Sequence, residues 1–258
     1  MNEPLNVERR GAVVWLTLNR PTAGNTIDVA MAEALGTEAH KCALDDAVRA
    51  VVITGAGALF CVGGDIRAFT AGDGAAAAIE AITSRLHPAI ESLATMPKPI
   101  VTLVNGPAAG AGLGLALLGD IVIAARSAHF TSAYTAIGLT PDGGTSWLLP
   151  RLIGLRRATQ MVLTNCRVGA EEAERIGLVT RVVDDNQLAA RGAETASMLA
   201  ASAVAALSSA RHLLATSPGR SLADHLALEA RTIAESADRA EGREGIASFL
   251  ERRPPRFD

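Results

Sequence analysis

Asn105-Gly-Pro-Ala-Ala-Gly-Ala-Gly-Leu-Gly-Leu-Ala-Leu-Leu-Gly-Asp120 carries the chain from strand to helix through residues that are nearly all small. Before it stands Ile100-Val-Thr-Leu-Val104, an apolar run bounded by Pro97 and Pro99 that reads as a buried strand. Leu113-Gly-Leu-Ala-Leu-Leu118 is apolar on every face, as a helix buried on all sides should be. A strand that turns straight into such a helix leaves the first helical N–H groups without internal partners, at the positive end of the helix dipole. Gly110 and Gly112 carry no side chain, so a ligand can approach the backbone. Three readings fit this stretch alone. A dinucleotide site needs Gly-x-Gly-x-x-Gly, and the glycines at 110, 112 and 114 have the wrong spacing. A developing oxyanion needs only one or two placed N–H groups. A packing turn needs no ligand.

A second turn of the same kind lies upstream. Val48 to Thr54 reads as a buried strand and runs into Gly55-Ala-Gly-Ala-Leu-Phe-Cys-Val-Gly-Gly-Asp-Ile66. Earlier still, Val13 to Leu18 is a strand, Asn19 to Asn25 a loop of turn formers, and Ile27, Met31, Leu35 and Ala39 recur at helical spacing behind a cap at Thr26 or Asp28. Residues 67–78 are small and charged and read as a mobile surface segment or lid, with a helix from about Ile79 to Met96 after it. Ile121 to Ala125 is another strand. His129 to Tyr134, the loop Gly138-Leu-Thr-Pro-Asp-Gly-Gly-Thr145 and Trp147 to Ile153 follow. From 155 helical patterns dominate, apart from an extended Leu178 to Val183. Two units are expected: a core over 1–195 and a helical region over 196–258, of the kind that packs against a partner subunit or the parent core.

Composition narrows the function classes. Apolar residues make up 49% of the 258 and charged residues 20%, a globular balance, and no apolar run is long enough to span a membrane. The first ten residues lack an apolar segment and the three cysteines, Cys42, Cys61 and Cys166, are scattered, so reduced thiols and a cytoplasmic location are expected. A net charge of −3 and 3% aromatics argue against a nucleic-acid surface. Lysine occurs only at 41 and 98, which leaves arginine to meet any phosphate.

Taken together, Leu18-Asn-Arg-Pro21 with Asn25, Phe60-Cys-Val-Gly-Gly-Asp-Ile66, Lys98-Pro99, Asn105 to Asp120, Gly138 to Thr145, Leu149-Pro-Arg-Leu-Ile-Gly154, Glu171-Glu-Ala173, Gly177-Leu-Val179 and Glu244 to Leu250 resemble the enoyl-CoA hydratase/isomerase (crotonase) superfamily over nearly the whole chain. The resemblance implies an α/β fold, a spiral of ββα units with a C-terminal trimerisation region. It also implies an acyl-CoA thioester as substrate, no cofactor beyond the CoA the substrate carries, no metal, and a homotrimer or dimer of trimers. The backbone N–H groups of Gly64 and Ala111 are then the donors to the thioester oxygen as it becomes an enolate, each donor worth about 3–4 kcal/mol in the transition state. Val62, Asp65, Ile66, Asn25, Tyr134 and Gly110 are expected around substrate and CoA, with Asp65 capping the next helix.

The chain departs from the typical hydratase at two positions. By that likeness glutamates belong at 114 and 134, where Gly114 and Tyr134 stand. Syn addition of water uses one group to deprotonate water and another to supply a proton. A single carboxylate, Asp142, resembles the acid of the isomerase branches, where it removes a proton alpha to the thioester and returns it two carbons on. Its rival role is to cap the helix near Thr145. The expected activity is therefore double-bond isomerisation of an enoyl-CoA, with Asp142 as proton shuttle. The alternatives are a hydratase using Asp142 and Tyr134, a hydrolase or displacement enzyme with Asp142 as nucleophile, and an inactive acyl-CoA-binding subunit. His87 matches a histidine of the branch that displaces halide from aromatic acyl-CoA. By its own surroundings, beside Pro88 on an amphipathic helix, it reads as a packed or exposed residue.

Overall fold

The computed structural model of the protein describes residues 3–67 and 74–257. Strands β1 (Leu5–Arg10) and β2 (Val13–Leu18) form a hairpin and lead to helix α1 (Val29–Leu44) and β3 (Ala50–Gly55). Helix α2 (Ala75–Thr95), β4 (Ile100–Val104), the short β5 (Ala108–Ala109), α3 (Ala111–Ala116) and β6 (Ile121–Ala125) complete the central repeats. Then come β7 (His129–Thr131), α4 (Thr145–Ile153), α5 (Leu155–Thr164), β8 (Val168–Gly169), α6 (Ala170–Arg175), β9 (Arg181–Val183) and α7 (Leu188–Ala200). Helices α8 (Val204–Thr216), α9 (Leu222–Asp238) and α10 (Ala240–Glu251) end the chain.

The main sheet has the order β1-β2-β3-β4-β6-β9, with β1 antiparallel to β2 and every other pair parallel. Parallel neighbours need crossovers and are buried on both faces, which explains strands that are apolar without alternation. All five residues of β4 are buried. One face of the sheet packs under α1, α2 and α3; the other packs on α7 through Leu188, Ala196 and Ala200. A small second sheet, β5-β7-β8, stands beside the main one and carries the chain away from the second glycine turn.

Two expectations are corrected, and a third falls largely outside the described residues. Helix α2 begins at Ala75, not at Ile79, because Ala75 to Ala78 are alanines, the strongest helix formers. Of the segment read as a lid, residues 68–73 lie outside the described residues. The boundary at 195/196 falls inside α7, which belongs to the core; the chain leaves the sheet at the bend 201–203, before α8.

Arginines tie α8 and α10 to the sheet. Arg49 at the start of β3 donates to the Ala200 and Ser202 carbonyls (2.6 and 2.8 Å) and lies 3.6 Å from Glu241. Arg211 on α8 pairs with Asp120, whose other oxygen accepts from the Ile100 N–H at 2.7 Å. Among the described residues no single helix is long and apolar enough to cross a membrane.

Candidate active site

The two glycine turns meet. Cys61 bridges Ala108 in parallel fashion, and the Ala109 N–H donates to the Cys61 carbonyl at 2.9 Å. At the point of contact Gly63 and Gly110 both have positive φ, +108° and +54°, and a Cβ on Gly110 would sit 3.4 Å from the Gly63 Cα. Only glycine meets both conditions at low cost. Closure of the turns brings Gly64 and Ala111 to the wall of one cavity.

Gly64 and Ala111 both line that cavity, and local backbone geometry sets the direction of each N–H. Around Gly64, the Ile27 N–H donates to the Gly63 carbonyl (2.8 Å) and the Asp65 N–H to the Ile27 carbonyl (3.0 Å). Extended backbone alternates its hydrogen-bonding direction, so the intervening Gly64 N–H points away from Ile27. Ala111 is the first residue of α3, and its N–H has no carbonyl within the helix to accept it. Two such donors can hold a carbonyl oxygen that gains charge.

The cavity has a volume of about 500 Å³ and is mainly apolar, with Ile27 and Val62 on one side and Ile79, Ile82 and Leu86 of α2 on the other. Asp142 is the one carboxylate on its lining among the described residues. Its side chain does not cap α4: the cap residue is Gly144, and it is the Asp142 backbone carbonyl that accepts from the Thr145 N–H, at 3.1 Å. The carboxylate Oδ1 lies 2.6 Å from His87 Nε2. His87 on α2 is thus neither packed into the core nor merely exposed; it meets the acid that lines the cavity, half of its side chain open to solvent.

Tyr134 lines the cavity, but its hydroxyl donates to the Asp142 carbonyl at 3.0 Å. Burial, with the Asp142 charge adding to it, pushes the phenol well above its ordinary range and keeps it protonated. The hydroxyl expected as a partner for substrate or water is therefore taken up in fixing the Asp142 backbone. Gly110, Val62 and Ile66 line the cavity, Val62 and Ile66 partly exposed. Asn25 and Asp65 are not among the lining residues. Asn25 is fully buried at φ +54°, accepting from the Arg20 N–H and donating to the Ala56 and Leu59 carbonyls. Such a left-handed position suits asparagine, and the side chain fixes the loop. Asp65 pairs with Arg20 at 2.9 Å and accepts from the Arg67 N–H at 3.2 Å, so it caps the short turn after the first glycine bend.

A family model described as enoyl-CoA hydratase/isomerase matches residues 8–258. The chain belongs to the enoyl-CoA hydratase/isomerase family. It is 40% identical over 245 residues to a Rhodobacter capsulatus protein named probable enoyl-CoA hydratase, covering 94% of this chain and 93% of that one. Over 247 residues it is 38% identical to the 1,2-epoxyphenylacetyl-CoA isomerase of Escherichia coli K12, covering 95% and 94%. The crystal structure of an enoyl-CoA hydratase from Polaromonas sp. JS666 matches with a TM-score of 0.93 at 33% identity, over 98% of this chain and 99% of that one. The fold is therefore the crotonase fold, and the family acts on acyl-CoA thioesters.

Within this hydratase/isomerase chain, position 114 is closed to any side chain. A Cβ there would sit 2.1 Å from the Gly143 carbonyl oxygen and 3.0 Å from Thr145 Oγ1. The Asp142-Gly143-Gly144 loop is seated on α3 in the space that Gly114 leaves, and a Cβ on Gly143 would meet Ala111 at 3.4 Å. The acid-bearing loop and the Ala111 turn are thus held as one unit.

Proposed function

We propose that the protein isomerises the double bond of an unsaturated acyl-CoA through an enolate. The observation that supports this reading is the lone carboxylate: Asp142 stands in an apolar cavity whose wall also holds Gly64 and Ala111, and the packing at Gly114 leaves no room for a second acid. The thioester oxygen sits between the Gly64 and Ala111 N–H groups. Asp142 removes the alpha proton as charge moves to that oxygen, then delivers a proton two carbons further on. One general base serves both steps, and the reaction needs no cofactor beyond the CoA of the substrate. Val62 and Ile66, at the more exposed side of the cavity, border the CoA moiety. The test follows the absorbance of the conjugated thioester. It should rise with a 3-enoyl-CoA, and a 2-enoyl-CoA in water should gain no mass; a product heavier by one water would show hydration and sink the isomerase reading.

The His87 contact favours a second reading, in which Asp142 attacks an acyl carbon bearing a leaving group and His87 activates the water that cleaves the resulting ester. A single turnover in labelled water distinguishes it: label from water enters Asp142 under this reading, and none does in proton transfer.

We further propose a homotrimer or a dimer of trimers. Ile233 of α9 and Phe249 of α10 are 73% and 82% exposed, and α9 buries none of its residues within the chain. An amphipathic helix needs a surface to cover its apolar face.

A further inference from the structure

Asp142 faces the cavity with one side and His87 with the other. His87 is not part of the cavity wall, whereas its neighbour Leu86 is both buried and part of it. The imidazole side chain is 55% exposed against 32% for Asp142, and only 2.6 Å separates Nε2 from Oδ1. An acyl chain in the cavity dries the inner side of the carboxylate, so the imidazole is then its contact on the way to water. We propose that His87 relays the proton carried by Asp142 to and from solvent, so that the proton taken from the substrate exchanges with water before one is returned. This rests on Asp142 being the base of the isomerisation above. His87 is a positioning and relay residue; it does not touch the substrate.

The steps balance. When Asp142 removes the alpha proton, the C–H electron pair moves into the enolate and the carboxyl becomes neutral. The carboxyl proton passes to Nε2, which leaves a carboxylate and an imidazolium. The half-exposed ring swings off Asp142, gives that Nε2 proton to water and takes another from water; on swinging back, Nε2 hands the new proton to Asp142, and it goes to the carbon two positions away. No oxidant or other reactant enters.

The experiment isomerises a 3-enoyl-CoA in heavy water, with deuterium at the receiving carbon read by mass spectrometry and rate read by absorbance. A base that takes the alpha proton starts without one, so deuterium can reach the product only by exchange during turnover. Most wild-type product molecules should carry it. His87→Gln keeps a hydrogen bond to Asp142 but passes no proton, and the product it forms should carry at least about fivefold less deuterium. His87→Leu should also lose deuterium, and thermal melts of both variants should match wild type at this half-exposed position. Equal deuterium in wild type and both variants, or wild-type product free of it, overturns the relay while the isomerase stands. No wild-type turnover at all overturns the isomerase reading and the relay with it.

Discussion

The six-stranded sheet and the three C-terminal helices distribute their apolar residues in opposite ways. In the sheet, Leu16, Leu18, Ile53 and Val104 are fully buried by the chain's own helices. On α9 and α10, Leu222, Ile233, Phe249 and Leu250 are each more than two thirds exposed. Full burial of such a side chain stabilises by about 1.5–3 kcal/mol, so the sheet region derives its stability from within and the helical region does not. The polar contacts differ to match. The C-terminal helices meet the core through arginine tethers, Arg49 and Arg211, which fix a position without needing a shared apolar core. The residues of the candidate site lie entirely in the self-sufficient half, so the proposed chemistry and the proposed assembly can be perturbed separately.

The sharpest break in that comparison is at the acid. Asp142→Asn should lower kcat by about 10²–10⁴-fold, leave CoA-ester binding nearly unchanged and leave the oligomer intact; kcat within a few-fold of wild type would remove Asp142 as base. A pair of truncations compares the two halves directly. Leu16→Ala should cost about 2–5 kcal/mol in urea unfolding. Ile233→Ala should cost within about 0.5 kcal/mol when measured on dissociated chains. Replacing Ile233 by Asp should also shift the sedimenting mass toward monomer, and an unchanged mass would mean that the exposed face is not an interface. Gly114→Ala should destabilise by about 1–3 kcal/mol, because its Cβ must displace the Gly143 carbonyl, and should lower kcat more than it alters KM. Stability and kcat both equal to wild type would show that the loop is not seated as described. The smallest effect is chemical. Burial raises the Cys42 thiol to about 11 and the Cys61 thiol to about 12, so in the native state a thiol reagent near pH 8 should label Cys166 and spare both. Rapid labelling of Cys61 would contradict the closed contact between the glycine turns.

The sequence reads most clearly where one physical demand dominates. Strands over 13–18, 100–104 and 121–125 are found at those residues, because parallel strands buried on both faces must be apolar throughout. Strand β1 was not legible as a strand: it is an edge element with only Leu5 buried, and Asn6 to Arg10 carry no apolar alternation. The four alanines before Ile79 resemble a loop when read with Gly72 and Gly74, and a helix when read by propensity. Asp142 and Tyr134 were identified through likeness to a family, yet their bonds could not be. The His87 contact joins residues 55 apart in sequence, and it exists because α2 passes over the loop before α4. Pairings of that kind follow from packing, to which no local pattern points. Gly114 is a related case: its absence of a carboxylate is plain in the sequence, but the carbonyl that fills the space is visible only in three dimensions.

That filled space bears on how such an enzyme changes activity over evolutionary time. A glycine codon lies one nucleotide from a glutamate codon, so a mutation offering the hydratase-type acid at 114 is easy to reach. Its product here would be a displaced 142–144 loop, with Asp142 shifted from its place on the cavity wall. Any lineage crossing between the two activities on this backbone must first lift the 142–144 loop off α3, and only afterwards can the acid arrive.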